Sequence, residues 1–577
     1  MTIFIGVYTD TTRLVLTGLV PFILIASGTL AFPISFVLIR LYRHTVLRTM
    51  VRSGAKRDST PPPLETVQSP IERGAPRQPT IVEDPPKISP GLPADALFKE
   101  ASFAPWRAVA AYGAAGAAYA VLMMACYHWA TGMPPTAMRC LFLFWIYAWP
   151  VVLAVDMVAA STRRAKFMAV GSYCAVFALI GVRLLARNPT LTVGQIAYVW
   201  LWMNLPATLL FLLSLHRSVR AVGPLVVAFV TLAVTGTLGG VSLLNTNHAL
   251  LRSVAGPMFS FGLSAGVVFV ALHLAGLALF APVGWLALRW IRDRYERKQI
   301  SDQSLTLDAV WLLFGVAQSI ELGSEVPAWG LAGLGGFALY KIVGAKTLPL
   351  LYARRETSRS SPRLLLLRVF SLGKESQRLF EALDKHWRHV GSIQMIAGPD
   401  LATTTVEPHE FLEFLRGRLA RRFIDGAQAL NLRLAEMDLE RDQDGRFRVN
   451  DFFCREETWR TTLSHLVNQS EVVLMDLRRF SQQNSGCIFE LNTLISVMPA
   501  DRVVFVVDNT TDESFLRATI QRAWSQIPPS SPNRQCSSSP FRLFRFAGKR
   551  GDELRQLFQV LCVAATATTP VPRLGSV

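Results

Sequence analysis

Charge is scarce in this chain of 577 residues: only 17% are Asp, Glu, Lys or Arg. Acidic residues are scarcer than basic ones, 41 against 59, leaving a formal net charge of +18. Cysteine is sparse as well. The seven, Cys126, Cys140, Cys174, Cys454, Cys487, Cys536 and Cys562, contain no CxxC pair and no His at metal-ligand spacing. That pattern excludes a zinc ribbon and a disulfide framework, and it fits a reducing compartment for the polar part of the chain. There is no GxxxxGK[ST] phosphate loop, GxGxxG fingerprint, HExxH or GxSxG elbow. P-loop hydrolysis, dinucleotide redox chemistry and zinc or serine hydrolysis therefore lose their usual sequence support. No metal site is expected.

What is abundant is apolar sequence, 51% of the chain, concentrated before Gly344. A helix of about 20 apolar residues spans the hydrocarbon core of a bilayer. Runs of that kind lie at Leu14–Ile39, Ala108–Trp129, Cys140–Ala160, Phe167–Leu185, Val193–Leu215, Ala221–Leu244 and Met258–Leu288. The first is too long for the apolar region of a cleavable signal and is followed by Arg40, Arg43 and Arg48, so it reads as a retained span. Seven spans result. Two shorter runs, Leu305–Leu322 and Val326–Val343, flank Gly323-Ser324-Glu325. They read as a hairpin that crosses twice or lies amphipathically on the surface.

Basic residues mark one side. Arg40 to Arg107, Arg163 to Lys166, Arg217 with Arg220, and Arg289 to Lys298 fall in loops of one side, against Arg139, Arg187 and Arg252 on the other. The positive-inside bias makes the first side cytoplasmic and the N-terminus external, in an inner or plasma membrane. The same bias accounts for the net charge, so the lipid bilayer is the expected partner and nucleic acid is not. Residues 53–97 carry Pro61-Pro62-Pro63 and Pro85-Pro86 with few large apolar side chains, the composition of a disordered linker. Asp156, Arg183 and His273 lie within spans and are read as structural, paired or hydrogen-bonded inside the bundle.

From Arg363 the texture changes. Leu364–Phe370, Ser392–Ala397, Val472–Leu477, Arg502–Val507 and Phe541–Phe546 are short apolar runs. Each is followed by an amphipathic stretch: Glu375–His389, Glu407–Phe423, Gly486–Val497, Asp512–Trp524 and Gly551–Ala564. Five strand–helix alternations predict an α/β, flavodoxin-like domain with a five-stranded parallel sheet in the order 2-1-3-4-5. Leu434–Glu440 and Arg446–Phe453, around Asp444-Gly445, predict an inserted β-hairpin, and Glu456–Val467 a further helix. The resulting domains are a first span at 1–42, a linker at 43–105, a bundle at 106–291, a hairpin and linker at 292–362, the α/β domain at 363–565 and a tail at 566–577.

Within that last domain, Ser470-Glu471-Val472-Val473-Leu474-Met475-Asp476-Leu477 followed by Ser485-Gly486-Cys487-Ile488-Phe489-Glu490-Leu491 resembles the third strand and next helix of Toll/interleukin-1 receptor (TIR) domains. Arg368-Val369-Phe370-Ser371 with Gly373-Lys374-Glu375 is similar to their first strand and polar loop. Gly486 stands where the family often has Trp, and the inserted segment departs from its compact form. The resemblance implies a signalling or defence protein that binds or hydrolyses NAD-type nucleotides. It implies Glu490 as the catalytic carboxylate, stabilising a ribosyl cation. Ser371, Gly373, Lys374, Asp476 and Arg478 are implied as ligand contacts at the strand ends. NAD would be substrate, with no cofactor. It equally accommodates a non-enzymatic sensor or scaffold that forms homo-oligomers through the cytosolic domain. A transporter with a regulatory domain is a third reading. Cys487 reads as a small buried residue, and His386, His389, His409 and His465 as helix-borne surface histidines.

Overall fold

The computed structural model describes residues 31, 33–49, 79–83, 93–160, 163–214, 217–352, 361–369, 374–397, 408–455, 457–535, 540–547 and 550–567. Most of the expected first span and linker, and all but two residues of the expected tail, lie outside these. The chain divides into two compact units, one holding Trp106–Arg355 and the other Glu356–Thr405 and Glu413–Val577, the latter joined by Arg43–Pro105.

The first unit is helical. Five of its described helices are long and apolar enough to cross a membrane: Pro93–Thr131, Ala137–Val158, Arg164–Arg187, Ala265–Glu296 and Asp302–Gly323. They do not share one environment. Only 6% of the apolar window of Ala265–Glu296 is buried, and Phe269, Val270, Leu274 and Leu279 face outward. In water such a surface would be a liability; facing lipid it costs nothing. These helices make the chain a membrane protein in character.

The expected run Cys140–Ala160 is interrupted at Ala148, where the helix Ala137–Tyr147 ends and Trp149–Val158 begins with Pro150 in its first turn. The run Met258–Leu288 is also broken. The helix His248–Ser260 stops before Gly262, which has a φ of 79°, and Ser264 caps the next helix, Ala265–Glu296, by accepting from the Val267 N–H. Hydropathy passed over both breaks because the breaking residues are themselves apolar or small.

The expected hairpin is a pair of helices, Asp302–Glu325 and Ala332–Tyr352, the first of them long and apolar enough to cross. The helix Asp302–Glu325 opens on a Ser301/Ser304 capping box, and 72% of its apolar window is buried, which places it at the centre of the unit and not on a surface. Its partner, Ala332–Tyr352, packs against it backbone to backbone: a Cβ on Gly333 would lie 2.0 Å from the Gly315 carbonyl oxygen. Asp308, within the first helix of the pair, accepts from Lys341 Nζ at 2.5 Å.

The second unit is a parallel sheet of eight strands: β1 (Ile81–Val82), β2 (Arg363–Arg368), β3 (Ser392–Ala397), β4 (Phe423–Ile424), β5 (Val449–Cys454), β6 (Val472–Asp476), β7 (Val503–Val507) and β8 (Phe541–Arg545). Their order is β1-β8-β7-β6-β2-β3-β5-β4. The five strands expected from the sequence, β2, β3, β6, β7 and β8, take the order 2-1-3-4-5 among themselves. Both faces are covered. Leu365, Leu367, Val473, Met475, Val503 and Phe505 pack with Leu463, Leu491, Leu494, Leu516 and Ile520, from the helices Trp459–Gln469, Ser485–Val497 and Glu513–Ser525. The alternate residues Leu364, Leu366, Val472, Leu474, Val504 and Val506 meet Leu379, Leu383, Trp387, Leu557 and Leu561 from Lys374–Trp387 and Arg550–Ala565. This two-sided burial is why the strands read as unbroken apolar runs.

The extra strands correct the five-stranded expectation and the hairpin. Residues 434–453 form no hairpin: Ala427–Ala435 is a helix, one antiparallel bridge joins Arg441 and Phe447 around Gly445, and β5 lies parallel beside β3. Phe452 and Phe453 point to opposite faces and both are buried. An exposed hairpin would leave one of them in water. Gly417, at φ 69°, likewise ends the helix Pro408–Leu415 early, and the chain continues through a 3-10 turn into β4.

Candidate functional site

In a parallel sheet the strand order reverses at one place, and the carboxyl ends of the strands there flank a crevice. Here β2 is followed by β3 on one side, and the chain then returns to β6 on the other, so the reversal lies between β2 and β6. These strands end in register on a charged pair of positions, Arg368 beside Asp476. β6 is apolar until Asp476 and β2 is apolar between Arg363 and Arg368, so the sheet carries these two charges to its carboxyl edge.

Asp476 is fully buried and its carboxylate is fully engaged. Arg478 donates to it from Nε at 2.8 Å and from Nη2 at 2.6 Å, and Ser376 Oγ donates at 3.0 Å. The Arg478 backbone N–H adds a further bond at 3.3 Å. Arg478 rests on the Phe546 ring at 5.6 Å. A two-pronged guanidinium–carboxylate pair of this kind fixes geometry and cancels charge. The expected ligand contacts Asp476 and Arg478 are thus brought together, but bound to each other. Lys374 starts the helix Lys374–Trp387; its side chain lies outside the described residues, as do Ser371 and Gly373.

Glu490 is the counter-case. The helix Ser485–Val497 turns Cys487, Glu490, Leu491 and Leu494 inward. Cys487 Sγ lies 3.6 Å from the Arg368 carbonyl oxygen, which seats the start of the helix over the end of β2. One turn on, Glu490 is 2% exposed, and its Oε2 meets no hydrogen-bond donor among the described residues. Burial pushes its pKa up to about 8, against the opposing pull of the Arg368 guanidinium. It is past the first helical turn, so attraction to the helix N-terminus does not explain a carboxyl group here. Two acidic groups near the carboxyl ends of these strands therefore live differently, one ion-paired and one buried with its pKa raised.

Arg368 and Ser376 are site residues that the sequence reading missed. The signal for Arg368 was a charge closing the run Leu364-Leu365-Leu366-Leu367, where burial on both faces is expected. Ser376 carried none, since its role depends on a residue one hundred positions away. Cys487 is buried, as expected of a packing residue. His389, expected on the surface, is buried, and burial with the neighbouring Arg446 and Arg388 holds its pKa well below the usual value. Among the described residues no His, Cys, Asp or Glu group forms a metal-binding cluster. In the helical unit His273 Nδ1 bonds the Phe269 carbonyl oxygen of its own helix at 2.8 Å, not a neighbouring helix as expected. Arg183 is exposed and Asp156 buried.

No protein-family model, curated protein or solved structure matches the chain.

Proposed function

We propose that the C-terminal unit is a TIR-like domain that binds an NAD-type nucleotide at the β2–β6 crevice and hydrolyses its nicotinamide–ribose bond, with Glu490 as the catalytic carboxyl group. The helical unit anchors it to the inner or plasma membrane, with the N-terminus outside and the domain in the cytoplasm. The observation that carries this reading is a buried carboxyl group, whose Oε2 meets no hydrogen-bond donor among the described residues, near the reversal point of a parallel sheet. A carboxyl group perturbed by burial at such a position is a candidate functional group.

The chemistry is consistent with the charge state. Glu490 rests protonated because the site is dry. A nicotinamide ring is cationic, and the ribosyl group becomes cationic as the bond breaks. Either charge beside Glu490 favours its ionised form, reversing the effect of burial. The proton leaves on binding, the carboxylate stabilises the oxocarbenium-like ribose, and water completes the hydrolysis to nicotinamide, ADP-ribose and a proton.

Full-length protein in nanodiscs, incubated with NAD, is expected to release nicotinamide. Glu490→Ala should lower the rate by roughly 10²-fold or more, in the range for loss of a group acting on the transition state. A second reading, a scaffold that signals by homo-oligomerisation, draws on the near-complete burial of Glu490, which must open to meet a substrate. Absence of turnover even when the protein is artificially clustered would select the scaffold.

A further inference from the structure

The strand at the β8 edge comes from far away. β1 lies more than 450 positions earlier in the chain, and it pairs Ile81 with Phe541 and Val82 with Arg542. The Phe541 N–H donates to the Thr80 carbonyl oxygen at 2.9 Å, and Ile81 packs against the sheet's buried cluster. Glu83 supplies the selectivity. It accepts from Arg517 Nη2 at 2.8 Å and lies 3.6 Å from Arg545, which also pairs with Glu513. The edge is therefore built for an extended segment that is apolar first and acidic last.

The hold is weak by construction. The strand is two residues long. Pro79 before it and Pro85-Pro86 after it cannot donate to a ladder, so the sequence confines pairing to residues 80–84. The ion pairs to Glu83 are 43–47% exposed and contribute little. A bare parallel edge, in contrast, is a template for another strand. The chain beyond the strand is anchored independently: Phe98, in the first turns of Pro93–Thr131, meets Phe558 at 5.9 Å and lies 5.4 Å from Arg555. The nine residues between strand and helix, 84–92, reach up to about 30 Å when extended. β1 can leave its own edge while the helix start stays docked.

We propose that the β8 edge is an exchangeable docking site whose partner is a second copy of this chain: in a membrane-confined pair, residues 80–83 of each copy seat on β8 of the other. The exchanged contacts are identical to the resident ones, so only chain entropy opposes exchange. Confinement to one membrane offsets that by raising the effective concentration. The proposal is independent of any catalytic activity.

The test uses two differently tagged full-length chains co-expressed in one membrane, one carrying Val82→Cys and the other Arg542→Cys. A short bis-maleimide is expected to link the two tags above the level given by chains carrying only the native cysteines. Glu83→Arg, which brings like charge to Arg517 and Arg545, should reduce that product roughly tenfold. Glu83→Asp should preserve it. Linkage confined to single chains carrying both cysteines overturns the proposal. So does a between-chain product that Glu83→Arg leaves unchanged, because it would report collision and not seating.

Discussion

Glu490 and Asp476 show how one functional group, the carboxyl, takes two characters near the carboxyl ends of β2 and β6. Asp476 is ion-paired with Arg478 and accepts a further bond from Ser376. Glu490 is buried, nothing described hydrogen-bonds its Oε2, and burial pushes its pKa up to about 8. The second condition has a thermodynamic signature. A carboxyl pKa raised in the folded state, from 4.5 to about 8, means that between these pH values the folded protein holds a proton the unfolded chain has released. Stability conferred around Glu490 is then full below about pH 4.5 and falls as pH rises to about 8, at roughly 1.4 kcal/mol per unit. Amide exchange in the peptide covering Ser485–Val497, corrected for its intrinsic pH dependence, is expected to lose protection across that window in the full-length protein. Glu490→Gln, which keeps the shape without the ionisation, should flatten the profile. A wild-type profile that is already flat would place the carboxyl group in a wetter setting.

At the level of elements, the helix pair Asp302–Glu325 and Ala332–Tyr352 shows what small residues accomplish. Without side chains at Gly315 and Gly333, the two backbones approach to contact, and the approach brings Lys341 onto Asp308. The pair is partly buried, Asp308 more than Lys341, and such a pair is tolerated only when both partners are held in place. Gly333→Ala puts a methyl group against the Gly315 carbonyl and is expected to destabilise the pair by about 1–3 kcal/mol. Gly335→Ala, two positions along, meets nothing within 4 Å and should be neutral or slightly stabilising through helix propensity. Unfolding in mixed micelles by added denaturing detergent reads both. Equal effects at the two positions would mean that the close approach carries no energetic weight.

For the whole molecule, apolar surface is put to two uses. In the α/β unit the large apolar side chains of the central strands are buried, whereas Ala265–Glu296 turns Phe269, Val270, Leu274 and Leu279 outward. A lipid environment reconciles both in one chain. The proposed orientation yields a direct test. Met133→Cys, in the loop after Pro93–Thr131, should react with an impermeant maleimide applied to intact cells, and Lys298→Cys should react only after permeabilisation. The reverse pattern would invert the topology and put the α/β unit on the external side.

Legibility in the sequence followed the range of the forces involved. The alternation of Leu364–Arg368, Val472–Asp476 and Val503–Val507 with amphipathic stretches marked the strands and helices to within a few residues, because burial on one or both faces leaves a local periodicity. Apolar length likewise marked the membrane-spanning character, since the bilayer sets a minimum run. The breaks at Ala148 and Gly262 left no such trace; a kink costs little hydropathy. β5 was expected as a strand, though of a hairpin, whereas β1 and β4 escaped for another reason. Strands of two residues carry no period, and the edge that accepts β1 is created by β8, far away in the chain.

The sequence by itself determined the division into an apolar helical half and a strand–helix third, and it singled out Glu490 through a short string of residues. Tertiary structure alone decided that Glu490 lacks a described hydrogen-bond partner while Asp476 has three donor groups, that Asp308 is neutralised by Lys341, and that residues 81–82 belong to the sheet. Composition and periodicity record what each segment must bury. Which groups end up facing one another depends on contacts between separate segments, 33 positions apart for Asp308 and Lys341 and one hundred for Ser376 and Asp476, and those exist only once the chain has folded.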